Sequence, residues 1–301
     1  MPIIGKHPSI ELDAVVFATD FSPASHNAGL YASDISVHFH TNLVVAHAFT
    51  LLQAALEVEV ETSKPSQQRI DLNHALSLTS EILPAGRGTT ESILLEGDPG
   101  LMVPRFSQLR SNSLMILGTH GGGAVDRFVL GSTAEGILRN STGPAMTIGP
   151  RVNILKAGAL RIKRILYATD CTSEAAHAAP FAVALADAFS AELDVLNVVS
   201  TRDLDHPEQL HQLQQHFYGA VEAAVPHHAE QLCKPHTFVS VGQPDAEILK
   251  HVDEREIDLL ILGLRRNTHL GMQNRTSGAF QIIVKSRCPV VTVALGSLVH
   301  S

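Results

Sequence analysis

Tryptophan is missing from the 301-residue chain, tyrosine occurs three times, and aromatic residues make up only 5%. So sparse a set offers no stacking platform for single-stranded nucleic acid. A formal net charge of −8 likewise lacks the basic face that a nucleic-acid binder shows. Long apolar runs are absent as well, and none approaches the ~20 residues needed to span a bilayer. The stretch Met1–Asp13 carries Pro2, Lys6, Pro8 and Glu11 and has no signal-peptide apolar region, so a cytoplasmic protein is expected. Cys171, Cys233 and Cys288 are odd in number and far apart, which fits reduced thiols and not a disulfide framework. No Gly-x-Ser-x-Gly stands at a strand end, and Cys-x-x-Cys and His-Glu-x-x-His are missing. A serine-hydrolase elbow and the common metal motifs are thereby excluded.

What the chain has is apolar residue in quantity, 45% against 17% charged, over a length that suits two domains with a core each. Its organising stretch runs from Leu114 to Glu135. Leu114-Met115-Ile116-Leu117-Gly118 reads as a strand covered on both faces. Gly121-Gly122-Gly123 follow and let the backbone approach a ligand closely. Ser132, with Glu135 three residues on, reads as a capping box that starts a helix near Thr133. Free amides and the helix dipole at that point suit an anion, phosphate above all. The loop lacks the Gly-Lys-Ser/Thr of the Walker arrangement and is not the dinucleotide G-x-G-x-x-G.

Upstream, Ala14–Asp20 is a strand, Ser22-Pro23 an N-cap with proline at the first helical position, and the helix after it places Ala24, Ala28, Tyr31 and Ile35 on one face. Leu43–Ala48 is a second strand. A helix is expected over Ser66–Leu83, with Leu72, Ala75, Leu76 and Leu83 inward, then a strand over Ser92–Glu96. Gly97-Asp98-Pro99 reads as a turn. A helix over Leu101–Leu109 follows, kinked or late-starting because of Pro104, and Ala145–Ile148 forms the last strand. Strand and helix alternate, which calls for a parallel α/β sheet.

The second half repeats the first. Ala18-Thr19-Asp20 recurs as Ala168-Thr169-Asp170 and Leu43–Ala48 aligns with Leu193–Val198, both at an offset of 150. Gly97-Asp98-Pro99 recurs as Gly242-Gln243-Pro244, Leu117-Gly118 as Leu262-Gly263 and Pro144–Ile148 as Pro289–Val293, all at an offset of 145. Constant offsets within each set mark a tandem duplication. The expected units are residues 1–150 and 161–301, with 151–160 as linker.

Gly118, two residues, Gly121, nine residues, Gly131, then Ser132: this spacing, inside Gly-Thr-His-Gly and Leu-Gly-Ser-Thr-Ala-Glu, resembles the ATP-binding motif of the universal stress protein family. The resemblance covers nearly the whole chain. It implies two tandem Rossmann-like units of the adenine nucleotide alpha hydrolase-like kind, each a five-stranded parallel sheet flanked by helices. It further implies that the units pair through their last strands, Ala145–Ile148 beside Pro289–Val293, and it is compatible with homo-oligomers. It implies ATP, with or without magnesium, as ligand. Ala18, Asp20 and Ala48 would hold the adenosine end. Leu117, Gly118 and Gly121 would shape the loop, and the Gly131, Ser132 and Thr133 amides with the Ser132 hydroxyl would grip phosphate. Asp20 has a second reading, as partner of the Ser22 and Ser25 hydroxyls or nearby amides. His120 reads as loop packing and Arg127 as a solvated loop residue.

In the second half, Arg266 replaces Gly121 and Thr276 replaces Gly131. A side chain forced into a left-handed conformation costs ~1–2 kcal/mol and fills phosphate space, so one nucleotide per chain is expected. His206, His211 and His216 are five apart, which spreads them around a helix and leaves that segment a solvated face. The sequence shows no general base, no carboxylate cluster for magnesium beyond Asp20 and no arginine finger, so any hydrolysis should be slow. The readings that compete with a nucleotide-responsive regulator are a scaffold of the same fold with a vestigial site and a slow nucleotide hydrolase.

Overall fold

The computed structural model describes residues 10–50, 64–86, 90–120, 129–172, 178–200, 207–224, 235–264 and 278–294. The first unit runs β1 (Ala14–Ala18), α1 (Pro23–His38), β2 (Asn42–Phe49), α2 (Lys64–Glu81), β3 (Thr90–Glu96), α3 (Pro99–Gln108), β4 (Ser113–Gly118), α4 (Ser132–Asn140) and β5 (Ala145–Ile148). The second runs β6 (Arg164–Thr169), α5 (Ala179–Phe189), β7 (Glu192–Val199), α6 (Pro207–Ala224), β8 (His236–Val241), α7 (Pro244–Glu254), β9 (Leu259–Leu264), α8 (Gly278–Lys285) and β10 (Val290–Ala294). Together they make one ten-stranded sheet in the order β3-β2-β1-β4-β5-β10-β9-β6-β7-β8. Pairing is parallel within each unit and antiparallel where β10 meets β5, with Val290 opposite Thr147 and Thr292 opposite Ala145.

The apolar strand runs bury as their composition demands. Leu114, Met115, Ile116 and Leu117 are each no more than 2% exposed, and each such side chain taken from water contributes ~1.5–3 kcal/mol. Alternate residues serve opposite faces of the sheet. Val15, Phe17 and Tyr167 join one core with α1 and α5, while Val16, Met115 and Leu260 join another with α3, α4, α7 and α8.

Helix α1 starts as its residues dictate, the Ser22 Oγ accepting the Ser25 N–H at 3.2 Å with Pro23 next. Ala28, Tyr31 and Ile35 are buried, whereas Ala24 is exposed; Ser25 takes the inward place and donates its hydroxyl to Thr19 Oγ1 at 2.8 Å. Helix α3 carries Pro104 in its interior. Proline has no N–H for the Gly100 carbonyl four residues earlier, and Asn140 at the end of α4 supplies one instead, Nδ2 to O at 3.1 Å. Gly100 and Gly136 let α3 and α4 touch backbone to backbone, since a Cβ on Gly136 would lie 3.3 Å from Gly100 Cα.

The stretch 151–160 is more than a tether. Asn27 accepts the Leu155 N–H at 3.0 Å and donates to the Asn153 carbonyl at 3.3 Å. Asp34 accepts the Gly158 and Leu160 N–H groups at 2.8 and 3.0 Å. These polar residues lie buried on α1 because the strap supplies their partners. The units also touch through helices, His38 stacking on Phe189 with centroids 4.1 Å apart and Arg139 of α4 standing 5.1 Å above the Phe280 ring of α8.

Candidate functional site

Strand order in the first unit reverses between β1 and β4, and in an open α/β sheet the crevice lies beyond the carboxyl ends of the strands at that point. A cavity of about 440 Å³ opens there. It takes in Ala18, Asp20, Ala48, Leu117, Gly118, Gly131, Ser132 and Thr133, residues that the family resemblance draws from four segments of the chain. Gly121 lies outside the described residues, as does Arg127.

Two walls differ in chemistry. Pro99 and Val103 of α3 with Ala134 and Ile137 of α4 give an apolar side, while Thr19, Asp20, Ser25 and His47 give a polar one. The sequence reading passed over Pro99, Val103 and His47, although the repeat held a signal. The second unit has a smaller cleft of about 160 Å³ lined in part by Ala168, Thr169, Asp170, Pro244, Ile248 and Gly263. Those are Ala18, Thr19, Asp20, Pro99, Val103 and Gly118 moved by the same two offsets.

Helix α4 begins one residue earlier than its capping pattern suggests. Gly131 is the N-cap, with φ −61 and ψ 142, and no side chain caps the helix. The expected capping box between Ser132 and Glu135 does not form, because Ser132 already lies inside the first turn and the Glu135 carboxylate binds Arg139 at 2.8 Å. The Gly131 N–H is spent as well, donating to the Thr119 carbonyl at 2.9 Å. Ser132, Thr133 and Ala134 are therefore the residues whose amides stand at the open end of the helix, where no intrahelical partner exists, and all three line the cavity.

The reason for glycine at 131 also differs from the one expected. Its φ is ordinary, so no left-handed penalty arises there; a Cβ would instead sit 3.0 Å from the Thr119 carbonyl oxygen. Space, not backbone freedom, selects glycine. Thr276, its counterpart, lies outside the described residues, and so does Arg266.

At the end of β1, the Asp20 carboxylate is exposed, and its Oδ1 accepts the Ser22 N–H at 3.0 Å. Of the local partners read for Asp20, the Ser22 amide is found, while the Ser25 hydroxyl goes to Thr19. His47 Nδ1 lies 2.8 Å from the Thr19 carbonyl oxygen, and the ring packs on Phe21 with centroids 4.5 Å apart. Burial pushes this imidazole below its ordinary 6.5, against smaller opposing pulls from the Thr19 carbonyl and the Asp20 charge. His120 Nδ1 is 2.7 Å from Thr119 Oγ1, and the residue lines the same cavity.

In the histidine-rich segment, His211 and His216 stand exposed on α6, and His206, His227 and His228 lie outside the described residues. Among the described residues no group of three or more His, Cys, Asp or Glu side chains is placed to hold a metal. No helix among them is long and apolar enough to cross a membrane.

Two doubly wound units joined edge to edge, with a cleft at the strand reversal of each, define a class, and sequence comparison makes it specific. The model of the universal stress protein family matches residues 11–149 and again residues 161–294. The chain belongs to the universal stress protein family, as a tandem pair of its domains. Its fold is similar to that of a universal stress protein from Archaeoglobus fulgidus DSM 4304, with 20% identity, 94% of this chain and 99% of that one covered, and a TM-score of 0.68. A functionally unknown protein from Pseudomonas aeruginosa PAO1 has 14% identity over 94% of this chain and 92% of its own, with a TM-score of 0.57. At such identities the likeness shows the fold. A universal stress protein solved in complex with cAMP matches 46% of this chain and 97% of its own, at 19% identity and a TM-score of 0.36. No curated protein sequence matches the chain.

Proposed function

We propose that the first-unit cleft binds an adenine nucleotide, ATP with or without magnesium, and that one nucleotide per chain biases the conformation or pairing of the molecule in a regulatory role. The observation that carries this reading is the opening of the α4 N-terminus into the larger cleft, where Ser132, Thr133 and Ala134 share the lining with Asp20. Amide donors and the positive end of the helix dipole favour a phosphate chain. The cleft lies within the ~300–1,000 Å³ range of small-molecule sites, and its volume of about 440 Å³ contrasts with about 160 Å³ in the second unit.

The apolar Pro99 and Val103 of α3 suit a base, and the ends of β1 and β2, one and two strands from β4, suit the sugar. Strands ~4.8 Å apart put these groups within one nucleotide's length of each other. Hydrogen bonds to charged groups contribute ~1.5–3 kcal/mol each, so three amides offset by ordering costs support a micromolar site, about −8 kcal/mol. A ligand that binds one state better than another shifts the populations of the two, and the Arg139–Phe280 contact links α4 to the second unit. Native mass spectrometry of the undenatured protein tests the reading: a co-purifying adenine nucleotide, one per chain, supports it, and a mass equal to the bare chain even with ATP added contradicts it.

A further inference from the structure

The two halves of the chain build the same turn with different residues, and the difference singles out a side chain. In the first unit the backbone leaves β1 at Thr19 and enters α1 at Pro23. Phe21 takes a left-handed conformation, φ 62, and donates its N–H to Thr19 Oγ1 at 3.0 Å. In the second unit Cys171 does the same, with φ 61 and its N–H 3.1 Å from Thr169 Oγ1. Asp20 and Asp170 each accept the amide two residues on, at 3.0 Å in both cases. A left-handed bend at a residue with a side chain does not persist unless its surroundings over-determine it.

A further constraint comes from the neighbouring strand. At the sixth position of β7, Asn197 Nδ2 donates to the Thr169 carbonyl at 2.9 Å. At the sixth position of β2 stands His47, with Nδ1 2.8 Å from the Thr19 carbonyl. An amide NH₂ can only donate. The same geometry in both units thus fixes the His47 proton on Nδ1, and the imidazole replaces the asparagine amide as clamp on the turn.

We propose that His47 is a positioning residue of the first-unit cleft: by holding the Thr19 carbonyl it fixes the Thr19–Asp20 peptide and so sets the Asp20 carboxylate to receive the hydroxyl groups of a nucleoside sugar. The inference rests on the nucleotide reading above. One Asp20 oxygen is anchored on Ser22, and the other has no partner among the described residues. Whatever turns the Thr19–Asp20 peptide turns that oxygen with it.

The test is calorimetric titration of the full chain with ATP for wild type, His47→Asn, His47→Leu, Asp20→Asn and the double variant His47→Leu/Asp20→Asn. His47→Asn restores the clamp of the sister unit and should stay within about threefold of wild type, while His47→Leu, which keeps bulk and loses the donor, should bind about tenfold more weakly. In the Asp20→Asn background, His47→Leu should add less than about twofold, because both changes remove one interaction. Melting temperatures taken alongside separate folding from positioning. Equal affinities of His47→Leu and wild type overturn the proposal, and so do losses that multiply in the double variant. Nitrogen-15 spectra showing the proton of His47 on Nε2 overturn it too. A wild type that takes up no ATP is a different result, since it removes the nucleotide reading itself and this inference along with it.

Discussion

The Gly131 amide donates to the Thr119 carbonyl across 2.9 Å, so the loop that leaves β4 is clipped at its two ends just before α4 begins. The clip aims the first turn of α4 at the cleft, and it depends on a position without a Cβ. Gly131→Val keeps an allowed backbone, because φ there is −61, but places a carbon 3.0 Å from the Thr119 oxygen. The expected outcome is a loss of ATP affinity of about tenfold, ~1.4 kcal/mol, measured by calorimetry, with a smaller loss for Gly131→Ala. Unchanged affinity in the valine variant would show that the clip does not set the site.

The strap between the units should contribute to stability in its own right. Asp34 is 8% exposed, and Asp34→Ala removes the acceptor of both the Gly158 and Leu160 amides. Leaving such donors unmade costs ~1–3 kcal/mol, a drop of roughly 2–6 °C in melting temperature for a chain of this size. Hydrogen exchange at those two amides should accelerate in the variant while exchange in β4 follows global unfolding.

A charge cluster around buried Asp194 in the second unit should contribute to acid behaviour. Asp194 is 1% exposed and meets His251 Nε2 at 3.1 Å, Arg255 Nε at 3.0 Å and His236 Nδ1 at 3.4 Å. Burial alone would raise its pKa, but the hydrogen bonds and charges of His251 and Arg255 together hold it below the ordinary 3.8. A carboxylate depressed in the folded state contributes stability that is present above its unfolded pKa and is lost as pH falls through its folded one. Asp194→Asn should cost about 2–3 kcal/mol at neutral pH, less than a fully buried pair would because Arg255 is 37% exposed. Below pH 4 the variant's stability should fall less steeply than that of the wild type, as read from urea midpoints across pH.

Tyrosine titration checks the core at the other end of the scale. Burial pushes Tyr31 and Tyr167 up from 10.0 to about 12. Groups raised in the folded state favour it below their unfolded pKa and cease to do so as pH rises through the folded value. Absorbance near 295 nm should show both phenols still protonated at pH 11, with alkaline unfolding releasing them together. Ionisation of either near pH 10 in the folded protein would contradict the packing.

Much of this architecture could be read from residues alone. Strands such as Leu114–Leu117 are apolar throughout because both faces of the sheet are covered, and the repeated Ala-Thr-Asp marks the same strand end twice. Helix α2 is displaced by two residues, expected at Ser66–Leu83 and found at Lys64–Glu81. The site was legible where a motif is local, as at Gly118 and Gly131-Ser132-Thr133. It was not legible where a contact joins distant residues. The box read from Ser132 and Glu135 failed because a bond to Thr119, twelve residues upstream of Gly131, moved the helix start. His47 looked like one more strand residue, because its bond to Thr19 exists only once β1 and β2 are in register. Asn27 and Asp34 gave no hint of partners more than 120 residues away.

The central claim is one nucleotide per chain, held in the first unit. Calorimetric titration of the full chain with ATP tests it most directly, with a second titration of Gly131→Val to place the site. A stoichiometry near one that weakens in the variant is the predicted result; a stoichiometry of two, or no heat of binding at all, contradicts the account.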